Sequence, residues 1–585
     1  MWHRHFCLCR LFHPVFYTPR MTARLTAFVL LLTLATAAYP ASREPVRARH
    51  GMVASTSEIA SRVGAGIMKK GGNAVDAAVA VALALAVTWP SAGNIGGGGF
   101  MVIRKADGTA EALDYRERAP MAATHDMYLD AMGNIIKGAS TEGYKAVGVP
   151  GTVAGLALAH KRHGHLPWRE LVEPAVRLAR DGFTVNYFFA NTLRGKTSNA
   201  RLAKFSESRR IFLNDGKPVA EGERFVQPEL ARTLERIRLH GADGFYRGET
   251  ARLLVEDMKS HGGLITAKDL ESYVPTVRKP LLGTYRGYDI ITMPPPSSGG
   301  IALLEMLNML ETRDVKGAGH NSAASVHLLT EVMRRAFADR ASYLGDADFV
   351  KVPVAGLTDR NYALSRLSDF EAEHASSSKT VGAGKPPGYE SAETTHFTIV
   401  DGEGSVVTST YTLNDTFGSG VTVKGAGFLL NDEMDDFTSK PGVPNDYQLI
   451  QGEANAIAPH KRPLSSMTPT IVLKDGKLFF AVGSPGGPTI INTVLQVVVN
   501  VIDYGMDIQQ AIDEPRVHHQ WLPDEIFWED FGLSRDTREA LEKMGHLFRQ
   551  KGGSLGDAQG IMIDQKTGMR LGASDPRLGG VPVGW

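Results

Sequence analysis

Ser391-Ala392-Glu393-Thr394-Thr395-His396-Phe397-Thr398-Ile399-Val400 follows a loose tract of serine, glycine and proline and opens a run of alternating strand character. A threonine at the head of a strand is ordinarily a β-forming residue and nothing more. Here Thr394 also reads as a nucleophile. If the chain cuts itself between Glu393 and Thr394, the hydroxyl and the freed α-amine fall on one residue. A threonine hydroxyl attacks poorly by itself, but an α-amine with an ordinary pKa near ~8 takes its proton directly or through one water. No histidine is then required, so His396 is expected to be structural. The β-methyl restricts χ1 and holds the oxygen in one orientation.

Four blocks downstream give that reading its context: Tyr411-Thr412-Leu413-Asn414, Asn431-Asp432-Glu433-Met434-Asp435-Asp436-Phe437, Pro463-Leu464-Ser465-Ser466-Met467-Thr468-Pro469-Thr470 and Gly483-Ser484-Pro485-Gly486-Gly487. Together they resemble the small subunit of the γ-glutamyltranspeptidases, members of the N-terminal-nucleophile hydrolases, and the resemblance runs from about His50 to Arg577. It implies an α+β fold, a four-layer αββα sandwich; periodicity alone gives only α+β. It also implies a precursor cut into a large subunit (38–393) and a small catalytic subunit (394–585), a heterodimer in one intertwined domain.

The resemblance assigns roles residue by residue. Thr394 is the nucleophile, and Thr412 and Asn414 orient it and hold the substrate carboxylate. On a strand, a spacing of two puts Thr412 and Asn414 on one face. Arg116, in Asp114-Tyr115-Arg116-Glu117, clamps the α-carboxylate, as a bidentate guanidinium can. Glu433 and Asp436 bind the α-amino group, Ser465 and Ser466 bind the carboxylate, and the backbone N–H groups of Gly486 and Gly487 form an oxyanion hole. Pro441-Gly442-Val443-Pro444-Asn445-Asp446-Tyr447 resembles a lid loop, with Tyr447 closing over the acyl group. The implied substrates are glutathione and other γ-glutamyl compounds, with water, amino acids or peptides as acceptors, and no cofactor or metal. Two other readings are a cephalosporin (glutaryl) acylase, which needs no α-amino site, and a non-catalytic periplasmic binding protein, which would not need the Thr394 hydroxyl.

The 585 residues are 43% hydrophobic and 22% charged, as in a soluble globular protein. No basic stripe points to nucleic acid. Arg20 and Arg24, the apolar run from Leu25 to Leu34 and Ala35-Thr36-Ala37-Ala38 read as an export signal over residues 1–37, too short to span a bilayer. It implies a periplasmic or secreted protein without a stable membrane anchor. Met21 is a natural initiator, so 1–20 reads as an over-long gene start. Residues 1–37 hold four arginines and no acids, so without them the formal net charge falls from +1 to −3. Cys7 and Cys9 also lie there, so the mature chain has no thiol nucleophile, disulfide or thiolate metal site.

Ser57 to Lys70 and Asn73 to Thr88 read as helices, the second apolar enough to be buried on most sides. Gly96-Gly97-Gly98-Gly99 enters a strand at Met101 rather than a helix and lacks a following Gly-Lys-Ser/Thr, which excludes a phosphate loop and favours close backbone packing. Gly148 to Phe370 reads as mainly helical scaffold, with Arg334, Arg335 and Arg340 on a solvated face of the helix Ser325 to Tyr343. Glu371 to Glu390 reads as a linker that cleavage would free as a tail. Hairpins are expected around Asp107-Gly108, Asp401-Gly402-Glu403-Gly404 and Asp475-Gly476, with late strands at Gly560 to Ile563 and Arg570 to Gly572. Gly552-Gly553-Ser554-Leu555-Gly556 fits a hydrolase elbow by pattern, but a strand follows it where a helix is needed. His518-His519 point to opposite faces of an extended segment and make a poor metal pair.

Overall fold

Local chemistry sets the first helices where the sequence places them. Ser57 caps Glu58–Lys69, and Asn73 forms a capping box with Asp76 at the start of Ala74–Thr88. Every residue of Ala74–Thr88 is buried, as its near lack of charge requires. The computed structural model describes residues 42–387, 397–549 and 553–585. The signal segment, the Glu393–Thr394 bond and His396 lie outside the described residues. Glu44–Trp585 forms one unit.

Two seven-stranded sheets carry the architecture. One runs Val46–Ala48, Arg570–Ser574, Gln559–Ile563, Lys477–Gly483, Thr470–Lys474, Tyr288–Thr292, Leu281–Tyr285. The other runs Val583–Gly584, Met52–Ala54, Phe397–Val400, Val406–Thr412, Gly98–Arg104, Ala110–Tyr115, Thr276–Arg278. All pairings in both are antiparallel. Period-two alternation builds the layers: Phe100 and Val102 meet Ile471 and Ala481 between the sheets, while Met101 and Ile103 face the helix Ala74–Thr88. On the far side Val472 and Phe480 pack under Gly299–Leu310, Ala323–Tyr343 and Thr489–Ile502. The result is helix, sheet, sheet, helix.

Both sheets mix strands from before and after residue 393. Phe397–Val400 lies between Met52–Ala54 and Val406–Thr412, and Tyr288–Thr292 pairs with Thr470–Lys474. Cutting the chain near Thr394 would therefore leave its two parts sharing continuous ladders and six hydrophobic clusters.

The stretch from Gly148 to Phe370 is mainly helical, as expected, but it also contributes five strands, of which Thr276–Arg278, Leu281–Tyr285 and Tyr288–Thr292 join the two large sheets. Two expectations need correction. Arg334, Arg335 and Arg340 are 2%, 0% and 2% exposed, not solvated. Glu331 pairs with the first two, joined by Asp524 on Arg334 and Asp369 on Arg335, so acids arriving from distant sequence make burial tolerable. The described part of the linker is also packed. Ala375 N donates to Met544 O (2.7 Å) and Ser378 N to the Asp524 carboxylate (2.7 Å).

Candidate active site

A cavity of about 480 Å³ opens between the two sheets' loop ends. Thr412, Asn414, Glu433, Asp436 and Tyr447 line it, and so do Ser465, Ser466, Gly486 and Gly487. Residues chosen from four separate blocks thus share one wall.

The glycine run positions the first of them. A Cβ at Gly97 would lie 2.0 Å from the Thr412 carbonyl oxygen, and one at Gly99 2.4 Å from Tyr411 Cβ, so only glycine allows this approach. Asn94 Nδ2 then donates to the Thr412 carbonyl at 2.8 Å. The strand ends at Thr412, and Asn414 adopts φ 80°, so two-residue alternation is not what brings the pair together. A turn does: Asn414 N donates to Thr412 Oγ1 at 3.0 Å.

Glu433–Asp436 is one turn of 3-10 helix, in which residues three apart eclipse. Both acids accordingly reach Arg116, whose guanidinium donates to Glu433 Oε2 (2.7 Å) and Asp436 Oδ2 (2.5 Å), with Nε on Pro463 O (3.3 Å). Arg116 is fully buried and stands behind the acids rather than on the cavity wall. Glu117 lies 3.7 Å from the same guanidinium, so three carboxylates face one cation. Burial, only partly opposed by Arg116, pushes the Glu117 carboxyl up to about 8, Glu433 well up, and Asp436 up. Three carboxyl groups around one guanidinium are more acids than Arg116 can pair, so the cluster is chemically suited to take a further cation.

The Ser465–Ser466 wall is held from the segment Pro294–Gly300. Ser298 Oγ and N both donate to Ser465 O (2.6 and 2.9 Å), and Ser465 N donates to Pro296 O. Arg340 donates from Nε to Ser298 Oγ (2.9 Å) and from Nη2 to Ser466 Oγ (3.1 Å). Sequence reasoning missed Ser298 and Arg340 as parts of the site; the Ser-Ser pair after a proline run was the available signal.

Gly486 and Gly487 make the turn from Lys477–Gly483 into the helix Thr489–Ile502, with φ 132° and 56°. A side chain at Gly487 would strike Tyr447 Cε1 at 2.7 Å. Tyr447 reaches over this turn from the exposed Pro441–Pro444 loop, and its hydroxyl donates to Asn414 O at 3.1 Å.

The remaining motifs resolve structurally. Ser554 lines the cavity but precedes the strand Gln559–Ile563, so no elbow forms. His518 and His519 are buried, and burial pushes them down to about 3 and about 4. Among the described residues, His327, Glu331 and His546 offer ligand atoms within 4.8 Å of one another. Their atoms are already engaged: His327 Nδ1 and His546 Nε2 share a hydrogen bond (2.7 Å), and Glu331 faces Arg334 and Arg335. Two neighbouring guanidinium groups make this a poor seat for a metal cation.

A helix–sheet–sheet–helix sandwich of this kind is the α+β fold of the N-terminal-nucleophile hydrolases. Residues 60–585 match the family model described as gamma-glutamyltranspeptidase, and the chain belongs to that family. Over 546 residues it is 50% identical to a glutathione hydrolase proenzyme of Pseudomonas sp. strain A14, covering 93% of each chain. Over 533 residues it is 50% identical to the glutathione hydrolase proenzyme of Escherichia coli K12, covering 91% of each. A crystal structure of cephalosporin acylase from Bacillus halodurans superposes with a TM-score of 0.82 at 28% identity, covering 94% of this chain and 98% of that one.

Proposed function

We propose that this enzyme is an exported glutathione hydrolase and γ-glutamyltranspeptidase that matures by cutting itself at Glu393–Thr394. Thr394 Oγ attacks the γ-carbonyl of glutathione or another γ-glutamyl amide, its proton passing to the α-amine of the same residue. The C–N bond breaks, the proton goes to the leaving amine, and a γ-glutamyl ester on Thr394 remains. Water or an acceptor amine then attacks that ester and restores the hydroxyl. Both glycines of the Gly486–Gly487 turn line the cavity, which supports the reading of their backbone N–H groups as an oxyanion hole.

One observation carries the reading. The acid cluster of Glu433 and Asp436 and the hydroxyl pair of Ser465 and Ser466 line a single cavity, as a substrate bearing both an α-ammonium and an α-carboxylate requires. The acylase reading shares the fold but leaves the surplus acids without a task. A binding protein would not need the oxyanion turn. The test is to incubate purified protein with γ-glutamyl p-nitroanilide and to sequence the N-terminus of its smaller chain. Release of nitroaniline together with a start at Thr394 is expected, and neither is explained by a binding protein. Export is supported by the leader-like pattern from Arg20 to Ala38. No helix among the described residues is long and apolar enough to cross a membrane.

The loop from Phe437 to Ile450 is proposed to shield the acyl-enzyme, with Tyr447 as its contact. Trimming it should raise hydrolysis relative to transfer to glycylglycine, on the order of tenfold, because water then reaches the ester freely. An unchanged product ratio in the trimmed enzyme would remove the shielding role.

A further inference from the structure

We propose that Arg340 is a positioning residue for the carboxylate-binding end of this cavity: it fixes Ser466 as a hydrogen-bond donor and brings the positive charge that the substrate's α-carboxylate meets there. The inference rests on the γ-glutamyl reading above. Its starting point is an imbalance of charge along one helix. On Ala323–Tyr343, Arg334 and Arg335 are both paired with Glu331. Arg340, equally buried, forms no ion pair with a described carboxylate, and its Nη1 has no hydrogen-bond partner. Its neighbour Asp339 is turned away to Tyr362, Gly384 and Arg366. A buried guanidinium without a contacting counter-ion is unfavourable; Asp436 acts on Arg340 only from beyond ion-pair distance, and the arginine lies behind a serine that lines the cavity.

The hydrogen-bond directions are fixed by chemistry. A guanidinium has donors and no acceptor, so the Ser466 hydroxyl must use a lone pair for Arg340 Nη2. Its O–H is left to donate, and a carboxylate is an acceptor only. The same argument applies to Ser298, whose O–H is directed onto Ser465 O while its lone pair takes Arg340 Nε. Arg340 thus orders the wall behind both serines. Arg116 cannot supply this charge alone, because Glu433 and Asp436 already balance it. Acids hold the ammonium end, and Arg340 polarises the carboxylate end. Desolvation lowers the guanidinium to about 10, which still leaves it charged at neutral pH.

The test uses two donors that differ only in the α-carboxylate: γ-glutamyl p-nitroanilide and 4-aminobutyryl p-nitroanilide. Arg340→Gln removes the charge, and Arg340→Lys keeps it while losing the fork. Both are first checked for cleavage on a denaturing gel, and only processed enzyme is assayed. Arg340→Gln should raise KM for the γ-glutamyl donor roughly 10- to 100-fold with kcat little changed, the range expected for a lost charge-assisted contact. Its kcat/KM on the 4-aminobutyryl donor should stay at the wild-type value, and Arg340→Lys should recover part of the γ-glutamyl loss. Should Arg340→Gln not mature, Arg340→Lys carries the same comparison with a smaller split. Equal losses on both donors, or failure of both variants to mature, would make Arg340 a structural residue and overturn the proposal. A wild-type enzyme inert toward the γ-glutamyl donor would instead overturn the functional reading on which it rests.

Discussion

Thr394→Ala should leave the chain whole at Glu393–Thr394 and lower γ-glutamyl turnover by roughly 10⁴-fold or more, the scale on which removal of a covalent nucleophile is felt. One oxygen is proposed to do both jobs. In the precursor it attacks the Glu393 carbonyl and forms an ester that water hydrolyses, and the cut then frees the α-amine that serves as base in turnover. Thr394→Ser keeps the oxygen but loses the χ1 restriction, so it should cut and turn over, each more slowly. The wild type should show two chains on a denaturing gel, the smaller of 192 residues from Thr394 to Trp585, yet elute as one particle. Interleaved strands such as Phe397–Val400 between Met52–Ala54 and Val406–Thr412 give the parts no simple way to separate. Mass spectrometry of the alanine variant decides the matter. A chain still split at that bond, or an intact chain that turns over substrate, would refute self-processing by Thr394.

Features set by neighbours in sequence were legible. The helices read from Ser57 and from Asn73 and the hairpins around Asp107-Gly108 and Asp475-Gly476 rest on local signals, and the structure has them within a residue or two. The glycine run read as close packing packs against Thr412 and Tyr411. The hairpin Leu281–Tyr285 with Tyr288–Thr292 was missed for a physical reason. Its turn is Arg286-Gly287, both at positive φ, and arginine in the first position is not among the residues that mark such a turn. Two of the five residues of its outer strand, Leu282 and Thr284, are exposed, so no continuous buried run announces it.

Charge misled where partners are remote in sequence. Arg334 and Arg335 read as a solvated face because periodicity cannot see Asp524 or Asp369 arriving from elsewhere. Arg340 lacks such an acid, and its burial makes sense only once Ser298 and Ser466 are brought beside it. The cavity-lining residues were legible through a resemblance of motifs rather than through spacing. Asn414 shows the limit of spacing, since it reaches Thr412 through a left-handed turn and not by strand alternation.

Asp436→Asn should raise KM for γ-glutamyl substrates by roughly 30-fold or more while leaving glutaryl amides far less affected. The two acyl groups differ by one α-ammonium, and breaking a buried charge pair costs roughly 2 to 5 kcal/mol, with each 1.4 kcal/mol worth about tenfold. The acid cluster is built for such a pair. Asp436 and Glu433 share Arg116, Glu117 adds a third carboxylate at 3.7 Å, and Glu433 Oε1 has no hydrogen-bond partner. An entering ammonium pairs with carboxyl groups that Arg116 does not neutralise, and so favours the ionised form that burial disfavours. Asparagine keeps the size and one acceptor but removes the charge. It also weakens the hold on Arg116, and that structural loss falls on both substrates alike, which is why the glutaryl amide is the reference. The measurement is kcat/KM for γ-glutamyl and glutaryl p-nitroanilides in wild type and variant. A loss confined to the γ-glutamyl donor assigns Asp436 to the ammonium. Equal losses on both, or a wild-type preference for the glutaryl donor, would move the assignment to an acylase, for which the acid cluster is scaffold.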